Sequence, residues 1–142
     1  MNLVLDSSMT LAWQFKRVDP AEILLAEKAL KELPSFQAIV PALWYSEIAN
    51  SLLRGERQGA ISATQTRYFL DELSQAEIVA DEISPRARQV AVVDLARRYG
   101  LTAYDATYLE LAMRRVATLA TFDRKLADAA RVAGLRVFGD AA

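Results

Sequence analysis

Residues 100–121 read GLTAYDATYLELAMRRVATLAT. Gly100 is a C-terminal stop for the helix before it, and Thr102 is an N-cap for the helix that follows. ATLAT (117–121) is then a short apolar strand. Helix followed at once by buried strand is the grammar of a parallel α/β sheet, and Asp105 sits inside that helix among Ala, Tyr, Thr and Leu. A buried carboxylate without a partner is expensive, so either another residue or a ligand must hold its charge.

The same alternation runs outward in both directions. Leu3–Leu5 form an apolar run that stops at Asp6. Asp19 and Pro20 open a helix over 21–33, FQAIV (36–40) is a strand ended by Pro41, and 42–59 is a helix closed by glycine. Ser62 and Gln65 form a capping box for a helix to about Ser74, followed by a strand at Glu77–Ala80 and a helix opened by Ser84 and Pro85. After ATLAT, residues 123–134 are helical and LRVF (135–138) is a last strand. No repeat or linker interrupts the series, so residues 1–142 are expected to form one three-layer α/β/α domain around a mostly parallel sheet.

Composition narrows the chemistry. Hydrophobic residues make up 53% of the 142 and charged residues 25%, the balance of a soluble globular chain, with no run long enough to span a bilayer and no leader pattern at the start. The expected location is the cytoplasm. Histidine and cysteine are both absent, which removes imidazole bases, thiolate nucleophiles and zinc sites built on either. Carboxylates remain. Asp6 and Asp123 both lie just beyond strands, Glu47 lies in the helix entered after the second strand, and Asp105 in the first turns of the helix before ATLAT. Sites in open parallel sheets form beyond the carboxyl ends of strands where strand order reverses, so all four acids can reach one rim.

Each acid has a plainer explanation alone: Asp6 and Asp123 as helix caps, Glu47 as a solvent-facing residue, Asp105 as an acid favoured by the helix dipole. Their common placement is what one site explains. Four carboxylates repel unless a cation or protons relieve them, and oxygen donors without His or Cys suit Mg²⁺, or Mn²⁺.

VLDSS, SEIANSLLR, GLTAYDATYLELA and LATFDRKLADAARVAG, in that order over nearly the whole chain, resemble the PIN-domain ribonucleases, and most closely the VapC-type toxins of toxin–antitoxin pairs. The resemblance implies a five-stranded sheet of order 3-2-1-4-5 and a metal-dependent endoribonuclease whose acids map onto Asp6, Glu47, Asp105 and Asp123, with Asp6, Asp105 and Asp123 as metal ligands and Glu47 as a ligand or an orienter of water. It assigns Ser8 and Thr121 to support of the acidic cluster, and implies an RNA substrate, a homodimer and a small antitoxin partner. The apolar helices around 43–53 and 62–74 are the expected antitoxin groove.

With the four acids set aside, 14 of the 18 acidic residues face 17 basic ones, a surplus of three positive charges. Lys16, Arg17, Arg54, Arg57, Arg114, Arg115, Arg124 and Lys125 are the candidate RNA contacts. Trp13 and Trp44 are available either to stack bases or to fill the core. Two rivals stand beside the nuclease: a non-catalytic module on the same fold, and a haloacid-dehalogenase-type phosphatase. The latter expects a second Asp two residues after the first, where this chain has Ser8.

Overall fold

A computed structural model describes residues 1–141. Strand β1 (Asn2–Leu5) leads into the short helix α1 (Ser7–Leu11), then α2 (Pro20–Glu32), β2 (Gln37–Val40), α3 (Ala42–Arg57), α4 (Ala63–Gln75) and β3 (Ile78–Ala80). Helices α5 (Pro85–Tyr99) and α6 (Ala103–Arg115), strand β4 (Thr118–Ala120) and helix α7 (Arg124–Val132) complete it. The helix boundaries follow local chemistry. Asp19 caps α2 through the Ala21 N–H, Ser62 and Gln65 form a reciprocal capping box, and Thr102 accepts from the Asp105 N–H. Gly100 closes α5 in the left-handed conformation at φ 66°.

All strands pair in parallel, in the order β3-β2-β1-β4. Successive residues of a strand face opposite sides, and Leu3, Val4 and Leu5 are all fully buried, so helices cover both faces of the sheet centre. Leu119 and Ala120 of β4 and Ala38 and Val40 of β2 extend this core, and Trp44, Ile48 and Leu52 seat α3 against it.

The expected fifth strand at 135–138 is reduced to one parallel bridge, Leu119 to Val137, beside β4 where the order 3-2-1-4-5 puts it. Two hydrogen bonds hold it, Leu119 N–H to Arg136 O and Phe138 N–H to Leu119 O. Gly139 then turns the chain at φ 97° where any Cβ would meet Leu25 Cδ1 at 2.7 Å, so the segment bends away after a single pairing. No helix among the described residues is long and apolar enough to cross a membrane.

Candidate active site

The site grows from the junction of the two central strands. The Asp6 N–H donates to Ala120 O at 3.0 Å, carrying the β1–β4 ladder one step beyond β1 and placing Asp6 beside Thr121. Asp6 is only 5% exposed, and it stands before α1 without capping it by its side chain, so the capping explanation fails. Its Oδ2 instead accepts two hydroxyls at 2.6 Å, from Ser8 and from Thr121. Ser8 Oγ in turn accepts the Phe122 N–H, and Thr121 Oγ1 the Asp123 N–H, both at 2.9 Å. The two hydroxyl residues therefore knit the β1–α1 junction to the β4–α7 junction. Burial pushes the Asp6 carboxyl up, the Ser8 and Thr121 hydroxyls oppose it, and Asp123 pushes the same way as burial; the net direction is upward.

Asp123 caps α7, its Oδ1 accepting the Leu126 N–H at 2.9 Å. The plain reading of this residue holds, and it also contributes negative charge to Asp6 and Asp105. Glu47, in the second turn of α3, is half-buried and not a free surface acid: its Oε1 accepts Tyr108 Oη at 2.5 Å and Ser7 Oγ at 3.2 Å. Burial raises its pKa first, with Asp6 adding to the rise. Asp105 is pushed up to about 6, by burial first and then by Asp123, Asp6 and Glu47, against the Thr102 hydroxyl. All four acids are thus brought into one electrostatic neighbourhood, and among the described residues no basic side chain pairs with them.

Oxygen-only donors under mutual repulsion are the right kind for a hard divalent ion. Their spacing is looser than a ligand shell, since among the described residues no three acidic side chains are gathered closely enough to enclose an ion. Uncompensated like charges favour that separation.

The candidate RNA contacts divide. Arg124 and Lys125 are exposed in the first turn of α7, next to Asp123. Arg17 lies over the Phe122 ring at 4.5 Å and pairs with Glu22, and Lys16 beside it is exposed. Arg54 and Arg57 are exposed in the last turn of α3, at least about 10 Å along the helix from Glu47. Arg115 is at the far end of α6 from Asp105. Arg114 is withdrawn from the set: it is bound to Asp81 and Glu110. Both tryptophans are spoken for as well, Trp13 donating to Ala26 O and Trp44 to Thr10 Oγ1, so core packing is their role.

Sequence reasoning missed Ser7 and Tyr108. Tyr108 follows Asp105 by three residues and so shares its helix face, a signal present in the sequence but indistinguishable there from a core aromatic. A cleft of about 650 Å³ runs along the neighbouring side of α6, walled by Leu43, Ile83, Val92, Val93 and Tyr104; none of the four acids lines it.

The family model for the PIN domain matches residues 3–132. The chain belongs to the PIN domain family. This PIN domain is 28% identical over 138 residues to ribonuclease VapC3 of Pyrobaculum aerophilum, covering 90% of this chain and 94% of that protein. Its fold is shared by PAE2754 from Pyrobaculum aerophilum, with a TM-score of 0.68 at 22% identity over 91% of this chain and 84% of that one. FitAcB from Neisseria gonorrhoeae matches at TM-score 0.61 and 17% identity over 96% of each chain.

Proposed function

We propose that the chain is a divalent-metal-dependent endoribonuclease, the toxin of a VapBC-type toxin–antitoxin pair. The carrying observation is the cluster of Asp6, Glu47, Asp105 and Asp123, drawn from four separate segments into one electrostatic neighbourhood in which, among the described residues, no basic side chain pairs with them. A structural role would not call for such a cluster; unpaired buried charge persists where a ligand is to answer it. Asp6, Asp105 and Asp123 are the residues that would hold the ion, and Ser8 and Thr121 fix the direction of Asp6. When bound, Mg²⁺ or Mn²⁺ would offset the acids' repulsion, polarise a phosphate oxygen and ease deprotonation of the attacking water. In-line attack by that water leaves a 5′-phosphate and a 3′-hydroxyl. Arg124 and Lys125 beside Asp123, with Arg17 over Phe122 and its neighbour Lys16, are the proposed contacts to flanking phosphates.

The partners follow from the same reading. Tyr45 and Leu53 on α3 and Tyr68 and Leu70 on α4 remain exposed while Trp44, Ile48, Leu52 and Phe69 are buried. They are the proposed antitoxin groove, and an antitoxin segment reaching from it along α3 to Glu47 would obstruct the site. A homodimer is part of the proposal.

The test is cleavage of a fluorophore–quencher RNA by antitoxin-free protein. Cleavage with Mg²⁺ or Mn²⁺, loss with EDTA and 5′-phosphate product ends are expected. No cleavage with either ion would favour the non-catalytic module; release of inorganic phosphate from small phosphomonoesters would favour the phosphatase.

A further inference from the structure

Glu47 is held differently from the acids around it. Its two anchors come from separate parts of the chain, Ser7 from the β1–α1 junction and Tyr108 from α6, and both hydroxyls end on the same oxygen, Oε1. Among the described residues no group bonds Oε2 and no buried side-chain oxygen lacks a partner, so Oε2 is open to water. The Tyr108 ring is 1% exposed in the core. A phenylalanine would fill that space without the cost of burying a hydroxyl, yet the hydroxyl is present and spends its proton on a carboxylate at 2.5 Å, the short end of the charge-assisted range.

We propose that Tyr108 and Ser7 are positioning residues for the nuclease reaction: together they saturate Oε1 of Glu47 and present Oε2 alone to the reacting centre. This rests on the nuclease reading above. Two features of the fold argue for it. Asp6 is treated in the same manner, with Ser8 and Thr121 both on Oδ2, so two acids from different elements each have one oxygen tied by a pair of hydroxyls. Tyr108 also stands on the same helix face as Asp105, three residues on, so the anchor of Glu47 and the carboxylate of Asp105 keep a fixed relation through α6. A glutamate has three side-chain torsions to order, and one anchor would leave it rotating; two from separate elements define a single direction. Glu47 therefore acts through one oxygen only, either on an ion or on the attacking water, and does not chelate with both.

The experiment measures kcat and KM on the labelled RNA for Tyr108→Phe, Ser7→Ala, Glu47→Ala and the Tyr108→Phe/Glu47→Ala double variant. The carboxyl ¹³C resonance of Glu47 is recorded in metal-free protein for wild type and for the first two variants. We expect Tyr108→Phe to lower kcat by about 10- to 100-fold with KM within about twofold, Ser7→Ala to lower it less, and Tyr108→Phe to add nothing once Glu47 is alanine. The Glu47 resonance moves in both hydroxyl variants. Unchanged kcat in Tyr108→Phe, or the same loss with and without Glu47, overturns the proposal. Should Tyr108→Phe not fold, the partly exposed Ser7→Ala carries the decision through the same two readouts. A wild-type chain that cuts no RNA defeats the nuclease reading itself, whereas one that cuts while the Glu47 resonance ignores both hydroxyls defeats only the positioning role.

Discussion

The two ends of α6 treat acids in opposite ways. Near its start, Asp105 faces Asp6, Glu47 and Asp123 with no positive group in answer, and its pKa rises to about 6. Near its end, Glu110 is 4% exposed and accepts from Arg88 at 2.8 Å and from Arg114 at 3.0 Å, while Arg114 also forks onto both oxygens of Asp81. Burial alone would push Glu110 and Asp81 up, but the arginine hydrogen bonds win and both are lowered. One helix thus carries a finished ion network that ties α5 and the loop after β3 to it, and an unfinished one. The chain has the means to neutralise buried acids and withholds them at the rim of the sheet. That contrast separates the charge that builds the fold from the charge proposed here to meet a ligand.

The contrast can be broken by substitution. The largest effect is expected at the unfinished end: Asp6→Asn or Asp105→Asn keeps side-chain shape but removes a charged donor, and should cut RNA cleavage by roughly a thousandfold or more with circular dichroism unchanged. Retention of a tenth of the activity by either would move the centre elsewhere. The finished end should respond in stability instead. Glu110→Ala leaves Arg88 and Arg114 without their shared acceptor and should cost about 3 kcal/mol in urea denaturation, with the activity of the folded protein kept. A loss below about 1 kcal/mol would class the network with ordinary exposed pairs.

The smallest effect sharpens the comparison through pH. Asp105 has a folded-state pKa above its unfolded value, so its contribution is fully present below about pH 4 and is lost as pH rises to about 6, where the ionised form sits in a repulsive place. Asp105→Asn should therefore leave metal-free stability nearly unchanged at pH 4 and raise it at pH 7.5, by on the order of 1–2 kcal/mol once solvent screening is allowed for. Millimolar Mg²⁺ or Mn²⁺ should stabilise the wild type at pH 7.5 and narrow that gap. Equal melting temperatures of variant and wild type across this range would show that Asp105 is not under repulsion.

What was legible in the sequence was what local chemistry encodes. Caps at Asp19, Ser62, Ser84 and Thr102 and the stop at Gly100 mark helix ends within a residue or two, because each satisfies backbone groups a few positions away. Asp6 and Asp123 stood out as acids just beyond strands, and Glu47 and Asp105 as acids inside apolar helical stretches. Partnership across the chain was not: Arg114 looks like any basic residue in a last helical turn until Asp81, 33 positions earlier, closes on it. Tyr108 likewise reads as core until Glu47, 61 positions away, accepts its hydroxyl. LRVF has the composition of a strand, but an edge offers one neighbour only and Gly139 turns the chain after one bridge.

The strand order also sets a timetable. Chain growth lays down β1, β2 and β3 side by side on one flank, and only then crosses to place β4 against the free edge of β1, pairing Leu3 with Thr118 and Leu5 with Ala120. Asp6 has no Thr121 beside it, and Asp123 does not exist, until that late arrival. Contacts so distant along the chain close late during folding, after the local helices are formed. A nascent chain still short of β4 has only the segments of α1 to α6 and three of the four strands, without a complete acidic rim, so the RNA-cutting capacity proposed for it awaits that strand and the Asp123 beyond it.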